Sequence, residues 1–498
     1  MFFLGYDVGS SSVKATLFDG ESGRVVARAT SPEGEEMPIH APRPGWAEQD
    51  PAMWWDHLVK ATHRLWGDYS GAAEKVGGIG ISYQMHGLVL VDDAGEVLRP
   101  AIIWCDSRAV ETGEEAFRRI GPEKALRHLL NSPGNFTAAK LAWVKQHEPA
   151  IYRKAKKFLL PGDYIAFRMT GEKTTTITGL SEGIFWDFLE NDVAAMVLEA
   201  LDLDPNLIPT VVPVFGEQGR LREEAAAVLG VPSGVAVSYR AGDQPNNAWS
   251  LNVLEPGEVA ATAGTSGVVY GVSDTAAYDT LSRVNTFVHV NHAPAKPRYG
   301  VLLCINGTGI LNAWLRRTLF DGAVDYDEMN RQALAVPPGA EGLTILPFGN
   351  GAERILRNAD PGARIGGLNF NVHGRGHLLR AAQEGIAFSF RYGLEIMGEA
   401  GIDSRVIRAG MANMFLSPLF RQVLATSSGV TIELYDTDGA QGAALGAALG
   451  TRFYASPSEC FRNLERKGIT EPDPSLKPLY DEVYGRWLEE LERMTEEL

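Results

Sequence analysis

Two short turns of small residues, about half a chain apart, have the composition of phosphate-binding loops. The first is in DVGSSSVK at 7–14 and the second in TAGTSGV at 262–268, each between apolar runs that predict the strands of a β-hairpin. Such turns expose backbone N–H groups and add hydroxyl donors, which suits phosphate because its oxygens only accept hydrogen bonds. The pair predicts two similar lobes that bind one polyphosphate, and therefore ATP chemistry. The candidate phosphate ligands are Gly9, Ser10, Ser11, Ser12, Lys14, Gly264, Thr265 and Ser266.

Two aspartates at predicted strand ends have the chemistry for metal binding and proton transfer. Asp7 begins the first turn, where a carboxylate can hold Mg²⁺ directly or through water and so link the ion to phosphate. Asp243 lies in AGDQPNN, where Gly242 and Pro245 predict a sharp break after an apolar strand. A carboxylate held there can accept the proton of an attacking hydroxyl. Simple turn-capping is the alternative role for each aspartate.

A second group of residues has the chemistry to bind a sugar. Gln84, Met85 and His86 follow a predicted strand at 78–82, and polar groups at such a strand end tend to face a cleft. Trp104 and Asp106 follow in IIWCDSR, where an aromatic ring can cover C–H faces and a carboxylate can accept from hydroxyls. The alternatives are that His86 is a core histidine and that Trp104 anchors the core, with Asp106 as a helix N-cap.

The segment AGMAN at 409–413 predicts a small-residue turn between a strand and a helix. A flat ring can approach the backbone there, so Gly410, Met411 and Asn413 are candidates for binding a nucleotide base. The run GAALGAA at 442–448 is instead interpreted as a site of close helix packing.

The predicted elements repeat one pattern twice along the chain. An antiparallel meander at 2–30 is followed by alternating helices and strands, and a second β-rich stretch at 258–272 is followed by the same alternation. The last forty residues are charged and helical, which predicts a tail packed on the outside. The pattern predicts an α/β protein of two lobes with a cleft between them.

Composition excludes several classes of partner. The 498 residues include 46 Lys and Arg against 62 Asp and Glu, and a net charge of -16 disfavours nucleic acid and anionic membranes. Three widely spaced cysteines do not form a disulfide framework. The N-terminus lacks a basic region, and no apolar run is long enough to cross a membrane. We therefore expect a cytoplasmic protein with small-molecule partners.

The motifs taken together resemble the FGGY carbohydrate kinases of the actin-like/hexokinase/Hsp70 superfamily, and among them the xylulokinases most closely. The resemblance runs from residue 3 to about residue 452. It implies two actin-like (ribonuclease H-like) lobes with a central cleft, at 1–245 and 246–498, and a homodimer. The motifs that carry it are DVGSSSVK, QMHG at 84–87, RPAIIWCDSR at 99–108, GDQPNN at 242–247, AGTSGV at 263–268 and LPFGNGAER at 346–354.

The resemblance also implies an activity and a set of roles. ATP and Mg²⁺ are the implied cofactors, with Asp243 as catalytic base and Asp7 and Asp243 as metal ligands. Gln84, Met85, His86, Trp104, Asp106 and Asp243 are the implied sugar ligands. The implied reaction transfers the γ-phosphate of ATP to the terminal hydroxyl of a ketopentose, D-xylulose first. Ribulose, erythritol or glycerol as substrate, or a non-catalytic sugar-sensing protein of the same fold, are the alternatives.

Overall fold

The computed structural model describes residues 1–69 and 71–496, and the chain divides into two compact units. Neither unit is continuous in sequence. The first unit contains Met1–Asn252, Phe287–Arg298 and Thr437–Leu464. The second contains Val253–Thr286, Tyr299–Asp436 and Glu465–Leu498.

The elements of the first half of the chain alternate between strands and helices. The strands are β1 Phe2–Val8, β2 Val13–Asp19, β3 Arg24–Ser31, β4 Glu48–Gln49, β5 Val76–Tyr83, β6 Val89–Val91, β7 Ala101–Ile102, β8 Lys157–Leu159, β9 Thr174–Thr176, β10 Trp186–Asp187, β11 Asp192–Val193, β12 Thr210–Val212 and β13 Ala236–Gly242. The helices are α1 Pro51–Asp68, α2 Val110–Ile120, α3 Pro122–Leu129, α4 Thr137–His147, α5 Pro149–Lys154, α6 Pro161–Thr170, α7 Ile177–Glu182, α8 Ala195–Ala200, α9 Glu223–Leu229 and α10 Asp243–Ser250.

The second half alternates in the same way. Its strands are β14 Glu258–Ala263, β15 Gly267–Ser273, β16 Asn285–Val288, β17 Tyr299–Ile305, β18 Thr344–Leu346, β19 Arg364–Gly366, β20 Val406–Gly410, β21 Thr431–Tyr435 and β22 Arg466–Thr470. Its helices are α11 Gly309–Phe320, α12 Tyr326–Leu334, α13 Arg375–Glu399, α14 Pro418–Ser428, α15 Gly439–Gly450, α16 Pro457–Cys460 and α17 Lys477–Glu496.

The main sheet of the first unit has the order β13-β5-β1-β2-β3. The strands β1, β2 and β3 pair antiparallel, which confirms the predicted meander, and β5 and β13 add to β1 in parallel. Helix α1 starts at an Asp50 N-cap with Pro51 as its first residue, and its Trp54 and Leu58 are fully buried in the core of this unit.

Helix α15 packs on the same sheet at very short range. A Cβ atom on Gly5 would lie 1.9 Å from the backbone oxygen of Ala440, and one on Gly80 would lie 1.9 Å from that of Ala443. The sheet and the helix therefore approach closely only because glycine occupies these two positions. This confirms the interpretation of GAALGAA as a packing surface.

The second unit repeats the strand order of the first. Six of its strands follow the order β17-β15-β14-β20-β21-β22. Strands β14, β15 and β17 pair antiparallel, and β20 and β21 add to β14 in parallel. The strand order 3-2-1-4-5 thus occurs in both sheets, which confirms the predicted repeat. Strand β17 was not part of the predicted pattern.

The predicted outer tail is wrong in one respect. Strand β22 pairs antiparallel with β21 at the edge of the second sheet. Helix α17 carries apolar residues at helical spacing, and its Trp487 is fully buried in the hydrophobic core of the second unit. The charged residues that predicted a helical tail on the outside lie on the other face of this helix. Within residues 1–69 and 71–496, no helix combines the length and the apolar character needed to cross a membrane.

Candidate active site

Three parallel strands of the first unit end at one edge of its sheet. In the register of β1, β5 and β13, Asp7 lies opposite Ser82, and Tyr83 lies opposite Gly242. The residues that follow these strands therefore emerge side by side. This edge brings together Asp7, near the end of β1, the segment that begins at Gln84, and Asp243. Asp7 and Asp243 are more than 200 residues apart in the sequence.

Asp7 is held between a neighbouring strand and the start of helix α15. Its Oδ1 accepts a hydrogen bond of 2.8 Å from the Ser82 hydroxyl. A Cβ atom on Gly439 would lie 2.7 Å from its Oδ2, so only glycine lets the helix start so close to the carboxylate. Burial raises the pKa of Asp7, while the charge of Lys14 and the bond from Ser82 oppose that shift.

Asp243 is the first residue of α10 and follows β13 directly. The predicted break is therefore a junction between a strand and a helix. A Cβ atom on Gly242 would lie 2.5 Å from Met85 Cγ and 2.5 Å from Glu182 Oε2, so this junction packs tightly. Burial, followed by the negative charge of Asp7, raises the pKa of Asp243 to about 7. A carboxylate with a pKa near neutrality is suited to accept a proton at physiological pH.

His86 lies at the same edge in an uncommon backbone conformation, with a φ of 62°. Its Nδ1 is 3.0 Å from the backbone oxygen of Glu182. Because that oxygen can only accept, Nδ1 carries a proton, and in the neutral imidazole Nε2 is then the acceptor nitrogen. The ring packs edge-on against Phe136, with a centroid distance of 4.7 Å, and 5.5 Å from the ring of Phe287. The two residues before it, Gln84 and Met85, are buried.

Trp104 is not a core anchor, because 49% of it is exposed. Its indole Nε1 donates to the hydroxyl of Ser10 at 3.3 Å. The structure thus brings a predicted sugar ligand into contact with the first predicted phosphate turn.

Asp106 is fully buried and is not a helix N-cap, since Ala109 has that position in α2. Its two carboxylate oxygens accept from the backbone N–H of Ala47 and from the backbone and guanidinium of Arg108, at 2.5 to 2.9 Å. A carboxylate has about four acceptor positions, and these donors occupy them. A sugar hydroxyl would have to displace one of them, so the geometry favours a role for Asp106 in shaping the pocket wall.

Sequence reasoning missed three polar residues near this edge. Gln49 donates from Nε2 to the backbone oxygen of Ser10 at 2.7 Å. Lys140, which is fully buried, donates from Nζ to the backbone oxygen of His86 at 2.9 Å. Glu182 is buried beneath Gly242, and burial raises its pKa well above the usual range. The sequence does contain a signal for a buried Lys140, because it is the single polar residue of the apolar stretch AAKLAW.

The second unit brings its own predicted nucleotide residues together. The turn Gly264–Ser266 connects β14 and β15, as predicted, and Gly264 O accepts from the Thr308 hydroxyl at 2.7 Å. Asn413 follows β20, the parallel neighbour of β14, and has a φ of 53°. Its Nδ2 is 3.5 Å from where a Cβ atom on Gly264 would lie. Met411, between this residue and the end of β20, is 47% exposed.

The residues of the first unit fit a divalent cation. Asp7 and Asp243 are both carboxylates, and the charge of Asp7 raises the pKa of Asp243, so the two groups lie within electrostatic range of each other. Magnesium is usually bound by one or two carboxylates together with phosphate oxygens and water. A cation would relieve the repulsion between these two carboxylates.

Comparison with known proteins gives the family. The N-terminal domain profile of the FGGY family of carbohydrate kinases matches residues 2–248, and the C-terminal domain profile matches residues 259–451. The xylulose kinase of Escherichia coli (strain K12) is 31% identical over 459 residues, which are 92% of this chain and 91% of that protein. The xylulose kinase of Klebsiella pneumoniae is 31% identical over 449 residues, 90% of this chain and 88% of that protein.

A solved structure gives the same answer for the fold. The crystal structure of xylulose kinase from Rhodospirillum rubrum superposes with a TM-score of 0.88 at 28% identity, covering 98% of this chain and 97% of that one. The motif resemblance is thereby confirmed, and the α/β units are those of the two-domain actin-like fold. The chain belongs to the FGGY family of carbohydrate kinases.

Proposed function

We propose that this protein is a xylulokinase that transfers the γ-phosphate of ATP to the terminal hydroxyl of D-xylulose. The observation that carries the proposal is the sheet edge of the first unit, where Gly242, the residue before Asp243, packs against Met85, the residue before His86. A proton acceptor beside a polyol-binding segment is the arrangement that phosphorylation of a hydroxyl needs. The relatives named xylulose kinase, which match over nine-tenths of the chain, support D-xylulose as the sugar.

Asp243 accepts the proton of the attacking hydroxyl in this proposal. Its pKa of about 7 in the absence of ligands keeps a large share of it ionised at neutral pH. Asp7 and Asp243 would hold Mg²⁺, which when bound neutralises charge on the phosphates. Ser82 keeps the Asp7 carboxylate oriented for that role.

The sugar is bound by side chains from three segments of the first unit. His86 presents Nε2 as an acceptor for a hydroxyl, and Gln84 and Met85 form the adjoining wall. Trp104 covers an apolar face of the sugar with its exposed ring. Asp106 and Arg108 set the shape of the wall behind them.

ATP is bound by the two turns and by the segment after β20. Backbone N–H groups and hydroxyls of the turns bind phosphate oxygens, as in other anion-binding concavities. The residues assigned to ATP are Gly9, Ser10, Ser11, Ser12 and Lys14 in the first unit, and Gly264, Thr265, Ser266, Gly410, Met411 and Asn413 in the second.

An ADP-release assay over D-xylulose, D-ribulose, erythritol and glycerol tests the proposal. We expect D-xylulose to have the highest kcat/KM, one ADP to be released per sugar phosphate, and the phosphate to be on the terminal carbon. A higher kcat/KM for another polyol would replace D-xylulose as the substrate. Binding of ATP without any sugar-stimulated turnover would favour a sugar sensor instead.

Two further properties belong to the same proposal. An ATP-consuming sugar kinase is expected in the cytoplasm, where ATP is made and used. We also propose a homodimer, by analogy with the family. Light scattering would then give twice the 54.1 kDa of one chain, and a value of one chain mass would contradict it.

A further inference from the structure

We propose that Lys140 is a positioning residue that holds His86 in the conformation that binds the sugar. This inference rests on the proposed function, since it concerns the same pocket. Lys140 is in α4 and is separated from His86 by more than fifty residues of sequence. No motif of the chain connects the two residues, and only the tertiary structure brings them together.

The backbone of His86 needs an outside partner to keep its conformation. Its φ of 62° lies in the left-handed region, which few residues other than glycine occupy, with histidine, asparagine and aspartate the most frequent among them. Residues in such conformations persist where the surrounding structure determines them. Glycine follows at position 87 rather than at 86, so the strained position carries a full imidazole ring.

Lys140 supplies that partner at the backbone. Its Nζ donates to the backbone oxygen of His86 at 2.9 Å, and the side chain is completely buried. Burial of an ammonium group is unfavourable unless it is hydrogen-bonded or paired, so a lysine at this position needs such an acceptor. A bond from a charged donor to a carbonyl is also stronger than a neutral one.

The charges that face Lys140 are consistent with a retained ammonium. Burial lowers its pKa to about 8, with Arg108 acting in the same direction, while Asp106 and Cys105 oppose the shift. At neutral pH the group is therefore mainly protonated. The buried Asp106 that shapes the pocket wall thus also helps to keep the charge on Lys140.

The ring of His86 is fixed by different groups from its backbone. Glu182 O accepts from Nδ1, and Phe136 and Phe287 pack against the ring. Lys140 is fully buried, so it does not contact the sugar itself, and its hydrogen bond to His86 is the direct link to a sugar-binding residue. Its loss should weaken sugar binding and leave the nucleotide residues of the second unit unaffected.

The test compares Lys140→Met with Lys145→Met in the purified enzyme. Lys145 is in the same helix, but its side chain is 31% exposed and it pairs with Asp202. Loss of a hydrogen bond from a charged donor predicts that the sugar KM of Lys140→Met rises about tenfold or more. Its KM for ATP should stay within about twofold of the wild type, and Lys145→Met should leave both KM values unchanged.

A double-mutant cycle tests whether Lys140 acts through the imidazole. In a His86→Ala background, Lys140→Met should change kcat/KM for the sugar by less than about twofold. If Lys140→Met lowers kcat/KM for the sugar as much in the His86→Ala background as in the wild type, the inference is overturned. An unchanged sugar KM in the single variant Lys140→Met, or an equal rise of its sugar and ATP KM values, would also overturn it.

Unfolding midpoints of the variants separate a positioning role of Lys140 from a purely structural one. If Lys140→Met does not fold, Lys140→Gln, which keeps an N–H donor, takes its place, and failure of both to fold would overturn the inference. The sugar panel on wild-type enzyme decides the proposed function separately. If another polyol is preferred, the D-xylulose assignment fails, and the variants are compared on that polyol.

Discussion

Ser82 donates a hydrogen bond of 2.8 Å from its hydroxyl to Oδ1 of Asp7, from the position directly opposite on the neighbouring parallel strand. The bond crosses from β5 to β1 at the edge where the proposed metal ligands lie. It favours the ionised carboxylate against the effect of burial. It also holds one orientation of the side chain, so the register of two strands sets the position of this proposed metal ligand.

Substitution of Ser82 by Ala should weaken the use of magnesium while leaving the fold intact. Hydrogen bonds to charged groups contribute about 1.5–3 kcal/mol, so we expect the Mg²⁺ concentration for half-maximal activity to rise about tenfold. Activity measured against Mg²⁺ at saturating ATP checks this. Ser238→Ala is the control, because Ser238 lies on β13 of the same sheet and its buried hydroxyl donates to the backbone oxygen of Ala447 in α15 at 3.1 Å. The same magnesium effect in both variants would contradict the assignment.

Replacement of Asp243 by Asn should abolish turnover and raise stability. Removal of a general base lowers kcat by about a hundredfold to ten-thousandfold. The carboxylate is also destabilised in the folded protein, because burial and Asp7 raise its pKa to about 7. The neutral amide removes the unfavourable free energy of the buried negative charge, so the loss of turnover in this variant should not come from unfolding. Retention of more than about a tenth of wild-type turnover would remove Asp243 from the role of base.

The stability effect of Asp243→Asn should depend on pH with a defined sign. The pKa is 3.8 in the unfolded chain and about 7 in the folded protein, so the folded state binds more protons between these values. Stability from this group is complete at low pH and is lost as the pH rises through about 7. The gain in Tm should therefore be larger at pH 8 than at pH 5.

Asp473→Asn is the matched control for that experiment. Its carboxylate accepts from Ser475, and these bonds lower its pKa, which is the opposite direction. We expect normal turnover and no gain in Tm at pH 8. A gain equal to that of Asp243→Asn would show that loss of any acidic charge stabilises this acidic protein.

Asn413 should contribute to ATP binding through its side-chain amide. Asn413→Ala and Asn413→Gly both remove the amide that lies beside Gly264, and both should raise the KM for ATP while the sugar KM is unchanged. The two variants should differ in stability, because glycine adopts a φ of 53° at no steric cost and alanine does not. A rise in ATP KM for Asn413→Ala alone would assign the effect to backbone strain and not to the amide.

Trp104 should contribute to sugar binding and little to stability. The side chain is 49% exposed, so Trp104→Ala should raise the sugar KM with little change in Tm. Trp104→Phe, which keeps a ring and loses only the bond to Ser10, should retain most of the affinity. Trp314→Ala is the control, since Trp314 is 47% exposed on α11 in the other unit. An unchanged sugar KM in Trp104→Ala would exclude this residue from the pocket.

Local pattern was sufficient for the elements and for the residues that end them. Alternating apolar residues around small-residue turns predicted both hairpins and the position of Asp243 directly after a strand. Asp7, which was predicted to begin the first turn, lies instead within β1. Strand β17 was one exception, and the tail was another. Charge content hid the apolar spacing that buries Trp487.

The contacts that shape the site were decided by the tertiary structure alone. The bond from Ser82 to Asp7, the approach of Gly439 to the same carboxylate, and the bond from Lys140 to His86 all join distant parts of the chain. Parallel strands are joined by long crossovers, so their register and the groups that meet at their ends are not encoded in local periodicity. The sequence therefore determined which residues have side chains suited to binding phosphate, metal and sugar. The packing of distant segments determined which of these residues are in contact.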